Sequence, residues 1–254
     1  MAVFTQKGDI ETIREAGRRL ALVLEKVIEK VVPGVTEILL DEYAYKLITE
    51  GGDVPAFLNY TPAGASFPYP ATLCISVNER VVHGIPRDHI LKEGDIITVD
   101  IGLTHKGMIV DMAKTVPVGT VDSEARKLLK ATEEALYAGI KAARADSHIG
   151  DIGYAVESTV KKYGFNVVRE LGGHGVGKKL HEPPFIPNFG QKGKGQKLTL
   201  GMLLAIEPIV NEGSGDVVPL SDGYTLQTKD GKRSAQFEHT ILITEDGAEI
   251  ITKT

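Results

Sequence analysis

Five side chains in this sequence sit badly as ordinary core or surface residues: Asp100, Asp111, His174, Glu207 and Glu238. Asp100 ends the apolar run ITVD, and Asp111 lies in IVDMAKT. Glu207 follows the apolar run MLLAI, and Glu238 is embedded in SAQFEHTILI. A buried, unpaired carboxylate costs several kcal/mol or takes up a proton. One such acid can be satisfied by backbone amides or a basic partner at a strand end. Four, in segments that offer few Lys or Arg, call for a cation. His174 belongs to LGGHGVGKKLHEPP, where glycines allow φ > 0 and the close approach of another group. His181 follows it seven positions on (181 − 174), and His83 precedes a glycine in VVHGIP. Four carboxylates and an imidazole suit divalent ions such as Mn, Fe, Co or Zn. The charge count fits two ions: four carboxylates against two dications, with a bridging hydroxide, leave a net charge of about −1. Two ions about 3.5–4 Å apart lower the pKa of a shared water and polarise a carbonyl together. That is hydrolytic chemistry.

The elements that must position these residues are legible in outline. Ile10, Ile13, Leu20, Leu24, Val27 and Val31 recur at helical spacing, and Pro33-Gly34 ends that helix. Thr36 caps a second helix through Leu39, Leu40, Tyr43 and Leu47 to Gly51-Gly52. A loop rich in proline and aromatics follows, Phe57 to Pro70. LCISVNERVVHGIP and GDIITVDIGLTHKGMIVDMAKTVPVG then read as strands and hairpins. After Gly119 the plan repeats. A helix starts at Ser123, the turn ADSHIGDIG leads to another through Tyr163, and strands follow in FNVVRELGGHG and LTLGMLLAIEPIV. Thr225 to Ile251 is again hairpin-like. Leu91–Gly94–Asp100 and Leu198–Gly201–Glu207 share offsets of three and six, and each half carries a His-Gly upstream. The chain therefore reads as one domain, 1–254, duplicated as roughly 9–119 and 120–254 about a pseudo-twofold axis. Helices would cover the outside of a curved sheet, with the carboxylates meeting inside.

Composition narrows the class. The 254 residues are 42% hydrophobic and 25% charged, ordinary for a globular chain with a sizeable core. A net charge of −5 gives no reason to expect a specific nucleic-acid partner. The lone cysteine, Cys74, excludes an intrachain disulfide and a cysteine-based zinc site, which fits a reducing cytoplasm. MAVFTQKGDIE lacks the pattern of a signal peptide, and no apolar run approaches the roughly 20 residues of a membrane span.

The contexts VDIG, VDMAKT, GGHGVG, AIEP and FEHT, in the order Asp, Asp, His, Glu, Glu, resemble those of the type I methionine aminopeptidases. NERVVHGIP and HEPPFIPNFG strengthen the resemblance, which covers nearly the whole chain. It implies an α+β pita-bread fold with a mainly antiparallel sheet. It implies a dinuclear metallo-exopeptidase in which Asp100 binds one ion, His174 and Glu207 the other, and Asp111 and Glu238 bridge both. Attack would come from a metal-bridging hydroxide. His181 would stabilise the oxyanion, His83 would contact the peptide beyond the scissile bond, and Glu207 would also shuttle a proton. The methionine pocket would be built from Phe57, Tyr60, Tyr69, Cys74, His83, Leu180 and Tyr224. Phe57, Leu180 and Tyr224 depart from the residues common in the family, and the loop Thr61 to Pro68 is longer than usual. The implied substrates are nascent polypeptides with a small second residue, met during transient docking at the ribosome. The chain's own Met1-Ala2 would qualify, and a monomer is expected.

Three rival readings remain in view. GGHGVGK, from Gly172, matches part of a phosphate loop but is followed by Lys179 where Ser or Thr would hold Mg²⁺. A non-enzymatic pita-bread protein would lack some of the five ligands. An enzyme cutting beside proline is expected to carry an N-terminal domain, whereas this sequence reaches its first helix almost at once. His174 to Glu207 spans 33 positions (207 − 174), too few for the extra subdomain of type II enzymes. Lys192, Lys194 and Lys197, and Lys229, Lys232 and Arg233, read as solvated turns.

Overall fold

The computed structural model describes residues 3–254, so Met1-Ala2 lies outside the described residues. Two helices open the chain, α1 (Lys7–Ile28) and α2 (Glu37–Glu50). Strands β1 (Val54–Pro55), β2 (Leu73–Val77), β3 (Arg80–Val82), β4 (Ile96–His105) and β5 (Met108–Pro117) follow. Helices α3 (Ser123–Ala142) and α4 (Ile149–Lys162) begin the second half. It continues with β6 (Asn166–Val167), β7 (Gly172–Gly175), β8 (Glu182–Pro187), β9 (Leu203–Ile206) and β10 (Ile209–Asn211). The last strands are β11 (Val217–Pro219), β12 (Leu226–Thr228), β13 (Ser234–Thr244) and β14 (Gly247–Ile250).

The main sheet runs β1-β4-β5-β13-β9-β7-β8, with β2 on β4 and β10 and β14 on β13. Its pairings are antiparallel, so the fold class is α+β. Helices cover one face. Ile13, Leu20, Leu24 and Val27 of α1 are buried at helical spacing and pack with Ile75, Val99 and Val110 of the sheet. Burying such a side chain contributes roughly 1.5–3 kcal/mol. Leu136, Ile140 and Ile152 of α3 and α4 do the same against Leu204, Phe237 and Ile241.

The two halves repeat specific contacts. Gly94 and Gly201 both adopt left-handed backbone, φ 94° and 83°. The Gly94 amide donates to Val118 and that of Gly201 to Ile243, each at the far end of a neighbouring strand. The cap residue of α2, Thr36, bridges to Ile90, and that of α4, His148, bridges to Lys197. Leu91 and Leu198, the next residues, are both buried. Each half thus docks its second helix onto the chain just before the strand that delivers an acid.

Several boundaries differ from expectation. Helix α1 ends at Ile28, and Val31 is buried from the following turn instead. Thr36 caps α2 through Oγ1, which accepts from the Leu39 amide, but Leu39 itself faces solvent and the buried stripe is Leu40, Ala44 and Ile48. The segment expected as the turn ADSHIGDIG already contains the start of α4, because Asp151 accepts from the His148 amide and closes the first turn. Glu182–Pro187 is a strand that the prolines hide. It pairs only with β7, at the sheet edge, where missing amide donors are tolerated.

Candidate metal centre and its peptide cleft

Register assembles the acids. Cys74 pairs with Asp100, Asp100 with Ala113, and Ala113 with Glu238, across β2, β4, β5 and β13. Directly opposed residues share a face of the sheet. Asp111, two residues from Ala113, therefore shares that face. On β13 the same alternation presents Gln236, Glu238 and Thr240. Thr240 Oγ1 donates to the Asp111 carbonyl and accepts its amide, which fixes the backbone that carries Asp111. On the other side His174 pairs with Ala205, two residues before Glu207. All five residues line one cavity of about 100 Å³.

Histidine 174 rides on strand β7, within the segment expected to form strands. Its flanking glycines serve close approach, not positive φ. A Cβ on Gly172, Gly173 or Gly175 would lie within 2.4 Å of a carbonyl oxygen of β8 or β9. The His174 Nδ1 donates to the Gly175 carbonyl at 2.9 Å, which leaves the lone pair on Nε2. That atom stands 3.7 Å from Glu207 Oε1 and 4.0 Å from Asp111 Oδ2.

Electrostatics mark the cluster as built for a cation. Burial first, and repulsion from Asp111 and Glu207 second, hold the Asp100 carboxyl well above its usual range. Burial likewise raises Glu238 and Glu207, and in Glu207 a hydrogen bond from Gln236 Nε2 opposes the shift. Asp111 is pushed up to about 7 by burial, against the pull of the Met112 amide. Burial also drives the imidazoles down, His174 to about 3 and His83 to about 4. Mutual repulsion of the acids is thus the lesser cause. No Lys or Arg lines the cavity. Asp100 Oδ1 and Glu238 Oε1 are buried without a hydrogen-bond partner. Ligand atoms of Asp111, His174 and Glu238 fall within 4.8 Å of one another. Orphaned acceptors, a free imidazole nitrogen and the lack of a counter-charge fit divalent metal.

The remainder of the cavity is apolar. Phe57, Tyr60, Tyr69, Cys74, His83, Leu180, His181 and Tyr224 line it, joined by Pro62, which carries no signal in the sequence. Phe57 packs where Gly102 leaves room, since a Cβ there would stand 2.9 Å from its ring. Tyr69 is pinned by hydrogen bonds to the Leu73 and Gly84 carbonyls. Tyr224 lies between the Phe67 and Tyr69 rings, with its hydroxyl on the Phe67 carbonyl. Cys74 is buried and its thiol is pushed well up by burial, so it is no nucleophile. His83 holds a left-handed backbone, φ 56°, strain that suits a functional position. His83, His174, His181 and Glu207 also border an open groove of about 470 Å³ lined by Val82, Leu171, Phe185 and Ile209. The cavity and the open groove therefore meet at His83, His174, His181 and Glu207. Gln236 joins the site without a sequence signal of its own beyond its spacing of two from Glu238, which places it on the same face.

The profile of metallopeptidase family M24 matches residues 11–245. The chain belongs to that family. Among M24 relatives it is 44% identical to the methionine aminopeptidase of Clostridium perfringens, over 99% of both chains. It is 44% identical to methionine aminopeptidase 1 of Bacillus subtilis, over the full length of both. The crystal structure of the enzyme from Thermotoga maritima superposes with a TM-score of 0.95 at 42% identity, each chain wholly covered. The M24 pita-bread architecture is thus that of this chain. An Xaa-Pro dipeptidase from Bacillus anthracis shares the fold at 20% identity and a TM-score of 0.77, and this chain covers 62% of it. The chain is a metal-dependent peptidase, and no helix among the described residues is long and apolar enough to cross a membrane.

Proposed function

We propose that this peptidase removes the initiator methionine from nascent polypeptides whose second residue is small. The observation that carries the reading is the cavity of about 100 Å³ in which an apolar wall faces the acid cluster, and which meets a wider groove at His83, His174, His181 and Glu207. The apolar wall of Phe57, Tyr69, Cys74, Leu180 and Tyr224 would receive the methionine side chain beside the acids, which suits an exopeptidase acting on methionine. The groove takes the rest of the peptide. His83 and His181 border both cavities, so the second residue passes between them and a bulky side chain clashes.

Asp100, Asp111, His174, Glu207 and Glu238 would hold two divalent ions, of Co, Mn, Fe or Zn. Bound there, the ions supply an activated water and polarise the scissile carbonyl. His181 donates to the oxygen on which negative charge develops. Glu207, with one oxygen held by Gln236, moves a proton to the leaving amine. His83 binds the peptide beyond the scissile bond. We read residues 1–254 as one catalytic domain, and the repeated helix–turn contacts support its duplication near residues 9–119 and 120–254. The same reading makes the chain a cytoplasmic monomer that meets its substrates at the ribosome. Met-Ala-Ser, Met-Leu-Ser and Leu-Ala-Ser peptides test the specificity. Release from the first alone is expected; equal release from Leu-Ala-Ser contradicts a methionine pocket.

A further inference from the structure

Tyr60 is expected only as a wall of the pocket, yet its hydroxyl reaches past that wall. It lies 3.0 Å from Nδ1 of His181, with the two rings tilted at 5.4 Å between centroids. His181 stands in turn against His174, the rings edge to face at 4.5 Å. The imidazole is thus held between a ligand histidine and a phenol.

The neighbourhood keeps Tyr60 in place. Ala56 donates its amide to the Gly102 carbonyl, and Tyr60 donates its own to Phe57. Asn59 takes a left-handed backbone, φ 65°, and the Asn59 and Tyr69 amides bond across to Tyr69 and Tyr60 carbonyls at 2.8 Å each. This two-bond neck closes the loop 61–68 between Tyr60 and Tyr69 and holds Tyr60 at its base. His181 is held from the other side. Glu182 pairs with Gly175 at the β7–β8 bulge, and its carboxylate accepts the Lys178 and Lys179 amides.

A neutral imidazole carries one N–H and one lone pair. A phenol O–H is the stronger acid of the two donors, so the Tyr60 hydroxyl donates and Nδ1 accepts. We infer that Tyr60 is a positioning residue for His181: its hydroxyl engages Nδ1, keeps the proton on Nε2 and aims that N–H at the scissile carbonyl. With the other tautomer, a lone pair would face the developing oxyanion. The inference rests on the proposed methionine release for the role of His181, but the tautomer does not depend on that reaction.

The test uses the zinc-loaded full chain and the variant Tyr60→Phe, which keeps the ring and the pocket wall. Nitrogen-15 NMR of labelled histidine reads the tautomer directly. Unprotonated Nδ1 and protonated Nε2 are expected at His181, with both tautomers in exchange after Y60F. A protonated Nδ1 in the parent, or an unchanged tautomer in Y60F, overturns the inference. With Met-Ala-Ser, Y60F is expected to lower kcat about five- to tenfold, the size of one hydrogen bond, with KM within about twofold. In a His181→Ala background the same substitution is expected to change nothing. An equal loss of kcat in that background shows that Tyr60 acts on its own and overturns the role. A parent chain that releases no methionine refutes the proposed function, and the NMR result still decides the tautomer.

Discussion

Raising the pH is expected to weaken the metal-free chain and to leave the metal-loaded chain unaffected. Burial, then mutual repulsion, holds Asp100 and Glu238 well above the ordinary carboxylate range. Burial holds Glu207 there too, and Asp111 sits at about 7. In the unfolded chain these acids titrate near about 4. At neutral pH the folded, metal-free site therefore keeps protons that the unfolded chain has lost. A raised carboxylate pKa favours folding below the unfolded value, and that advantage drains away as pH climbs toward the folded value. Each retained proton tilts stability downward by about 1.4 kcal/mol per pH unit. Burial lowers the pKa of His83, His174 and His181, so they are neutral in the folded chain, and the last protons of unfolded histidine add only a small opposing rise between pH 7 and 8, about 0.1 kcal/mol each. Bound metal displaces the protons and removes the slope. Urea unfolding with chelator, at pH 7 and 8, should show a loss of at least about 1.4 kcal/mol that disappears with Mn²⁺ present. Calorimetry of metal binding in two buffers of different ionisation enthalpy should show release of at least about one proton per chain at pH 7. Metal-free stability that holds or rises between pH 7 and 8, with no proton released, would refute the claim that the acids are kept neutral by burial.

Glu207→Gln removes the proton relay and a ligand charge, and kcat on Met-Ala-Ser should fall about 10²–10³-fold; a near-normal kcat excludes the role. The same variant should flatten the pH slope of the metal-free chain, since one retained proton is gone. Arg80 forms two hydrogen bonds to the buried Glu37, so Arg80→Met leaves an uncompensated charge and should cost about 3–5 kcal/mol in urea unfolding. Converting Glu37→Leu in the same chain should recover much of that loss, and an additive double variant would show the pair to be independent. Gly102→Ala drives a Cβ to 2.9 Å from the Phe57 ring and should push that ring into the pocket. KM for methionine peptides should rise severalfold, and an unchanged KM would mean that Phe57 does not bound the substrate.

Much of the site can be read from the chain because the acids violate local logic. Asp100, Glu207 and Glu238 each interrupt an apolar run, and such a violation survives without any knowledge of the fold. The repeat of Leu, Gly and acid at offsets of three and six is equally local, and the structure gives both glycines the same backbone and the same partner type. What stays hidden depends on contacts distant in sequence. The bond between Tyr60 and His181 joins residues 121 apart. Gln236 is visible only once β13 is known to alternate around Glu238. The strand at Glu182–Pro187 is masked by Pro183 and Pro184, which argue against a strand anywhere but an edge. The glycines around His174 suggest positive φ, whereas Gly172, Gly173 and Gly175 instead let three strands crowd together. Leu39 looks like core by type, and faces water because Leu40, Ala44 and Ile48 already fill the buried stripe of α2.

The central claim is that metal held by the five ligands performs the hydrolysis. Methionine release from Met-Ala-Ser, measured after chelation and again as Mn²⁺ or Co²⁺ is restored to the same sample, addresses it most directly. Release that stops with chelator and returns in step with metal bound, up to two ions per chain, is the expected result. A folded chain that releases methionine at full rate with no metal, or binds metal and releases none, would contradict the account.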